Sequence, residues 1–204
     1  MNLPTALTLV RIVLVPLLVV VLLTEFEGRR IAGVPKDLFG AGIFALASFT
    51  DWLDGYLARR RRQVTWLGQI LDPIADKLLT SAAFISLVQL DAAPAWMVAL
   101  IIGREFAITG LRSLAHTKGF TMPASQLGKL KMSLQVATIL LLIVGWGSWP
   151  VFAPIGYGML WIVLAVSAVS AFDYYRKFQR LLNARVTDVN IAREQHRHEG
   201  RRAG

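Results

Sequence analysis

Six long apolar stretches run along the 204-residue chain, at roughly Leu3–Thr24, Leu38–Ala58, Leu67–Leu90, Pro94–Ala115, Leu127–Gly147 and Val151–Tyr175. A helix needs about 20 mostly apolar residues to cross the hydrocarbon core of a bilayer, and each stretch supplies them. The runs are long and lack two-residue alternation, which predicts helices and argues against strands. The breaks between them carry turn chemistry: Gly33-Val34-Pro35, Ala92-Ala93-Pro94, Met122-Pro123 and Trp149-Pro150. The pattern predicts an all-α, polytopic membrane protein with six transmembrane helices. Its catalytic or transport unit would span residues 1–181, followed by a basic polar tail over 182–204. That tail holds five arginines, and is expected to leave helical structure and lie disordered on an anionic membrane surface.

Composition supports this class. Hydrophobic residues make up 55% of the chain and charged residues 17%, against about 25% charged in soluble domains. The formal net charge of +9 would suit nucleic acid in a polar chain. In one this apolar it suits the anionic inner face of a membrane, and no nucleic-acid partner is expected. There is no cysteine, so any metal would be held by oxygen or histidine. The first apolar run carries a single basic residue, Arg11, and ends in Thr24-Glu25-Phe26-Glu27-Gly28. It lacks a small-residue cleavage site and reads as a retained span.

Charge also orients the spans. With six crossings both termini share one side. The opposite side holds the loops 25–37, 89–95 and 146–153, where only Arg29, Arg30 and Lys36 are basic; the other 19 of the 22 lysines and arginines fall elsewhere. Positive charge marks the cytoplasmic side. The expected location is the inner, cytoplasmic membrane, with both termini and the active site facing the cytoplasm.

Within the second and third spans lie Asp51, Asp54, Asp72 and Asp76. Ionised groups at membrane depth are expensive and mark function by default. Asp51 and Asp54 are three apart and Asp72 and Asp76 four apart, so each pair shares a helix face. If the two helices are antiparallel neighbours, the four carboxylates converge. Their repulsion then calls for hard divalent cations: magnesium, manganese or calcium. The alternative is an ion pathway in an ion-coupled transporter, which also needs intramembrane carboxylates. Six spans without a visible inverted repeat count against it.

The full spacing is more specific. Residues 51–76 read Asp51-x-x-Asp54-Gly55-x-x-Ala58-Arg59, eight residues, then Gly68-x-x-x-Asp72-x-x-x-Asp76. This resembles the complete signature of the CDP-alcohol phosphatidyltransferases, with every fixed position matched. Pro4-Thr5-x-Leu7-Thr8-x-x-Arg11, Gly103-Arg104-Glu105, Leu111-Arg112 and Gly128-Lys129-x-Lys131 are similar to the branch of that family that makes phosphatidylglycerophosphate in bacteria. The resemblance implies that Asp51, Asp54, Asp72 and Asp76 hold two divalent ions, usually magnesium with manganese as the alternative. It implies that Asp76 is also the general base. Gly55, Ala58, Arg59, Thr65 and Gly68 would lie near the CDP-lipid. The donor would be CDP-diacylglycerol, the leaving group CMP, and the assembly a homodimer surrounded by membrane lipids. Thr8 and Arg11 share a helix face and are placed at the nucleotide phosphates, although Arg11 could equally snorkel to lipid headgroups.

The acceptor rests on Arg104, Arg112, Lys129 and Lys131, near the cytoplasmic ends of spans four and five. Arg104 interrupts an apolar stretch, which is costly without an anionic partner. Glu105 projects about 100° away from it on a helix and need not be that partner. A phosphate would satisfy several of these cations, and arginine suits it by bidentate geometry. Glycerol 3-phosphate is therefore the expected acceptor, with inositol phosphate as the alternative in the same class.

Overall fold

The computed structural model describes the backbone over residues 3–24, 30–31, 33–61, 66–117 and 126–202. Side chains are described in the same regions, except at 3–5, 7, 52–73, 116, 126–127, 129, 178 and 180–202. Six helices lie among the described residues: α1 (Leu3–Leu23), α2 (Lys36–Arg61), α3 (Trp66–Gln89), α4 (Ala95–Thr117), α5 (Gln126–Trp146) and α6 (Phe152–Arg202). They follow the six apolar stretches closely. Two departures stand out. A two-stranded antiparallel ribbon, β1 (Arg30–Ile31) and β2 (Val34–Pro35), turns at Gly33, whose φ of 83° suits a residue without a Cβ. Strands were not expected there, because two-residue strands leave no alternation to read. In addition, α6 continues to Arg202, through the segment expected to leave helical structure after residue 181.

Local chemistry explains the helix ends. Asp37 stands in the first turn of α2, where the helix dipole favours negative charge. The α3–α4 turn is closed by Ala92 N–H donating to the Leu87 carbonyl at 2.8 Å. Asp91 takes a left-handed φ of 55° there, which aspartate tolerates better than most residues. Pro94 follows and cannot extend α3; its carbonyl instead accepts from Met97 and Val98 at the start of α4.

α1 packs against both α2 and α3, and α5 packs closely against α6. The core draws Leu18 and Leu22 from α1, Phe44 from α2, Phe84 and Leu87 from α3, Met97 and Ile101 from α4, and Ile139 and Ile143 from α5, with Leu160 and Val163 from α6. Glycine makes the α5–α6 approach possible: a Cβ on Gly145 would lie 2.4 Å from the Ala153 backbone nitrogen.

At one end of the bundle, buried charges tie the elements together. Lys36 donates to the carbonyls of Leu22 (3.3 Å) and Thr24 (3.2 Å), satisfying acceptors that the end of α1 leaves open, and lies 5.1 Å from the Trp146 ring centroid. Asp37 accepts from the Ser148 backbone N–H (2.8 Å) and hydroxyl (3.0 Å) in the α5–α6 turn. These ties fix the end opposite the carboxylates.

The outer surface is apolar: Leu46, Phe49, Ile85, Leu100, Phe106, Val169 and Phe172 are each more than half exposed. Among the described residues, one helical stretch, Phe152–Lys177, is long and apolar enough to cross a membrane; Thr8–Leu23 and Leu130–Trp146 are shorter apolar stretches. Charges such as Asp51, Asp76, Lys77, Arg104 and Glu105 interrupt the hydropathy of α2, α3 and α4.

Candidate active site

The charged residues of five helices meet at the end of the bundle away from Lys36 and Asp37. α1 supplies Thr8 and Arg11, three apart on one face and both fully buried. Arg11 Nη1 lies 2.7 Å from Asp51 Oδ1 on α2. Arg11 therefore points inward to a carboxylate, which removes the alternative that it snorkels to headgroups. A buried guanidinium needs such a partner, since its charge cannot be neutralised by losing a proton.

Asp76 on α3 is half-buried, within electrostatic reach of Asp51, Arg11, Lys77 and Lys131. Its carboxylate has no hydrogen bond or ion pair among the described residues. Among the described residues, α2 and α3 both pack against α1. Arg11 is thus paired with Asp51 and also within electrostatic reach of Asp76. Asp54, Gly55, Ala58, Arg59, Gly68 and Asp72 fall on the backbones of α2 and α3, but their side chains lie outside the described residues, as does Thr65 altogether. Among the described residues no group of three or more potential metal ligands gathers. Asp51 and Asp76 offer oxygen donors without histidine or cysteine, a donor set that fits a hard divalent cation.

Beside Asp76 lies a cationic cluster. Lys77 is within electrostatic reach of Arg104 and Arg112, and Lys131 of Arg104, Lys77 and Asp76. Three of the four cations expected at an acceptor phosphate, Arg104, Arg112 and Lys131, are brought together; the Lys129 side chain lies outside the described residues.

These cations also have partners within the chain. Arg104 Nη1 lies 3.3 Å from Glu105 Oε1, the alternative left open by helix geometry: two long side chains can bend together even when their Cβ vectors diverge. The same Oε1 pairs with Lys131, which is 2% exposed. Arg104 also donates through Nε to the Ser167 carbonyl (3.2 Å) and through Nη2 to Ser170 Oγ (2.6 Å). Arg112 donates through Nη2 to the Tyr174 hydroxyl, and its guanidinium carbon lies 4.8 Å from that ring centroid. Asp173 pairs with Lys177 at 2.7 Å, as their four-residue spacing suggests.

Sequence reasoning flags Lys77 only as a charge interrupting an apolar helix, and gives no role to Ser167, Ser170 or Tyr174. A signal existed for the last three: polar positions three and four apart on an otherwise apolar helix. It is a weak one, because serine is common where membrane helices pack.

Comparison with known proteins identifies the family. The sequence model of the family described as CDP-alcohol phosphatidyltransferase matches residues 1–169. A Bacillus subtilis (strain 168) protein named CDP-diacylglycerol–glycerol-3-phosphate 3-phosphatidyltransferase is 42% identical over 182 residues, covering 86% of this chain and 94% of its own. A protein of the same name from Rickettsia typhi is 37% identical over 177 residues, covering 86% and 96%. One from Pseudomonas fluorescens is 32% identical over 182 residues, covering 86% and 89%.

Proposed function

The chain belongs to the CDP-alcohol phosphatidyltransferase family, and from that premise we propose that it transfers the phosphatidyl group of CDP-diacylglycerol to glycerol 3-phosphate. The products are phosphatidylglycerophosphate and CMP. The observation that carries this reading is a group of relatives, 32–42% identical over most of the chain, that share one name for that activity. The geometry supports it through Lys77 and Lys131, within electrostatic reach of the Asp76 carboxylate, and Arg104 and Arg112, within reach of Lys77. A phosphorylated acceptor would seat its phosphate among the cations and bring its hydroxyl toward Asp76. An ion-coupled transporter would account for the carboxylates and leave these relatives unexplained.

In the proposed reaction, the free primary hydroxyl of glycerol 3-phosphate attacks the lipid-side phosphorus. The new P–O bond forms as the bond to the CMP oxygen breaks, and the hydroxyl proton passes to Asp76. Phosphoryl transfer depends chiefly on positioning and charge neutralisation. Asp51, Asp54, Asp72 and Asp76 are the residues that would hold two divalent cations, magnesium or manganese. Such ions, when bound, would offset charge on the diphosphate. Arg11 fixes Asp51, and the basic cluster orients the acceptor.

The same reading places α1 to α6 across the inner, cytoplasmic membrane with both termini cytoplasmic. α1 to α5 have 21–26 residues each, about 31–39 Å at 1.5 Å per residue, enough for a bilayer core. Exposed leucines, isoleucines and phenylalanines on their outer faces would meet lipid. The chain has no cysteine, so single substitutions can report sidedness cleanly. In intact cells a membrane-impermeant thiol reagent should label Trp149→Cys, and Thr117→Cys only after permeabilisation. The reverse pattern would invert the topology.

The activity test is CMP release by purified protein in detergent with magnesium, offered CDP-diacylglycerol and either glycerol 3-phosphate or inositol phosphate. Release with glycerol 3-phosphate alone, lost in Asp76→Asn, is the expected result. Release with inositol phosphate alone would overturn the acceptor.

A further inference from the structure

Ser167, Ser170 and Tyr174 follow one another at intervals of three and four, so they share one face of α6. All three are buried, at 2%, 1% and 3% exposure. Buried hydroxyls on an apolar helix are unfavourable unless they find partners. The partners of Ser170 and Tyr174 are the two arginines of α4, and Ser167 contributes its carbonyl to one of them.

The two arginines are engaged differently. Arg104 is held along three sides of its guanidinium, by the Ser167 carbonyl, Ser170 Oγ and Glu105 Oε1. Arg112 is held by Tyr174 through the hydroxyl and the ring face. Its Nε–H is buried without a hydrogen-bond partner among the described residues. A charged donor left in that condition is what an incoming phosphate oxygen would satisfy, and the strength of such bonds depends on direction. A free arginine samples many rotamers, and ordering it only when the ligand arrives weakens binding.

We propose that Tyr174 is a positioning residue for the acceptor phosphate, acting through Arg112. Its hydroxyl and ring hold the guanidinium in one orientation before the acceptor arrives, so that the Nε edge is already set toward the phosphate. Arg104, bound on three sides, braces α4 against α6 and carries less of the phosphate contact. This rests on the basic cluster being the acceptor site.

The test is steady-state CMP release by full-length protein in detergent, titrating glycerol 3-phosphate and CDP-diacylglycerol separately. The chains compared are wild type, Tyr174→Phe and Tyr174→Leu, with thermal unfolding measured on each. Tyr174→Phe keeps the ring and loses the hydroxyl bond. Its KM for glycerol 3-phosphate is expected to rise roughly three- to tenfold, a fraction of what a hydrogen bond to a charged group is worth, because the effect is indirect. Tyr174→Leu loses ring and hydroxyl together and should raise that KM further, roughly ten- to fiftyfold. In both variants kcat and the KM for CDP-diacylglycerol should stay within about twofold of wild type, since neither is reached through Arg112. A purely structural role would instead lower the melting temperature and kcat together and leave the acceptor KM alone; that result overturns the proposal. If Tyr174→Leu does not fold, Tyr174→Phe, which differs by one atom, decides the question. A wild type that uses inositol phosphate in place of glycerol 3-phosphate would overturn the acceptor reading only, and Tyr174→Phe must then raise the KM for that acceptor. A wild type that releases no CMP with either would overturn both.

Discussion

Arg11→Met removes the cation from the Arg11–Asp51 pair while keeping most of the side-chain volume. The Arg11 side chain is fully buried and the Asp51 side chain 31% exposed. Taking one partner from a fully buried pair costs roughly 3–5 kcal/mol, because the other charge is left uncompensated. Asp51 retains some access to water, so the expected cost here is lower, about 2–3 kcal/mol. At about 2–4 °C per kcal/mol for a chain of this size, the melting temperature should fall by about 4–12 °C. The assay is thermal unfolding in detergent with a chelator present, since a cation at Asp51 would take over the compensation. Asp51→Asn and the double variant complete a cycle. The double variant should be more stable than Arg11→Met alone, because the carboxylate that lost its arginine is gone, with a coupling of about 1–2 kcal/mol. Strictly additive single effects, or an Arg11→Met chain that melts within about 2 °C of wild type, would refute the reasoning.

Asp37→Ala loses both hydrogen bonds from Ser148 at a site 4% exposed. It should cost about 2–4 kcal/mol in thermal unfolding and leave both KM values unchanged, since it lies at the end of the bundle away from the chemistry. Gly145→Ala should lower the melting temperature by the equivalent of about 1–3 kcal/mol, because its Cβ meets backbone at 2.4 Å and not a side chain that could yield. Gly103→Ala, with nothing within 4 Å of its added Cβ, serves as the silent comparison. Chelating divalent cations should abolish CMP release, and added magnesium or manganese should restore it. Activity that survives exhaustive chelation would remove the metal from the proposal.

Much of this protein can be read from its order of residues. Runs of about 20 apolar residues set the six helices found among the described residues, because long apolar stretches without two-residue alternation favour helix over strand. Gly33 and Pro94 mark turns for reasons internal to those residues. The spacing from Asp51 to Asp76 identified the family, since it is a covalent fact of the chain, independent of how the helices pack.

Partnership belongs to the tertiary structure. Arg11 could have pointed to lipid or to protein, and helix periodicity could not choose; the packing of α1 against α2 and α3 decided it by placing Asp51 within 2.7 Å. Arg104, Glu105 and Lys131 form one group only because α4 and α5 bring their long side chains to a common point. Tyr174 meets Arg112 across 62 positions of sequence. Burial makes a buried charge require a counter-group, but its identity depends on distances between helices, which local sequence does not encode.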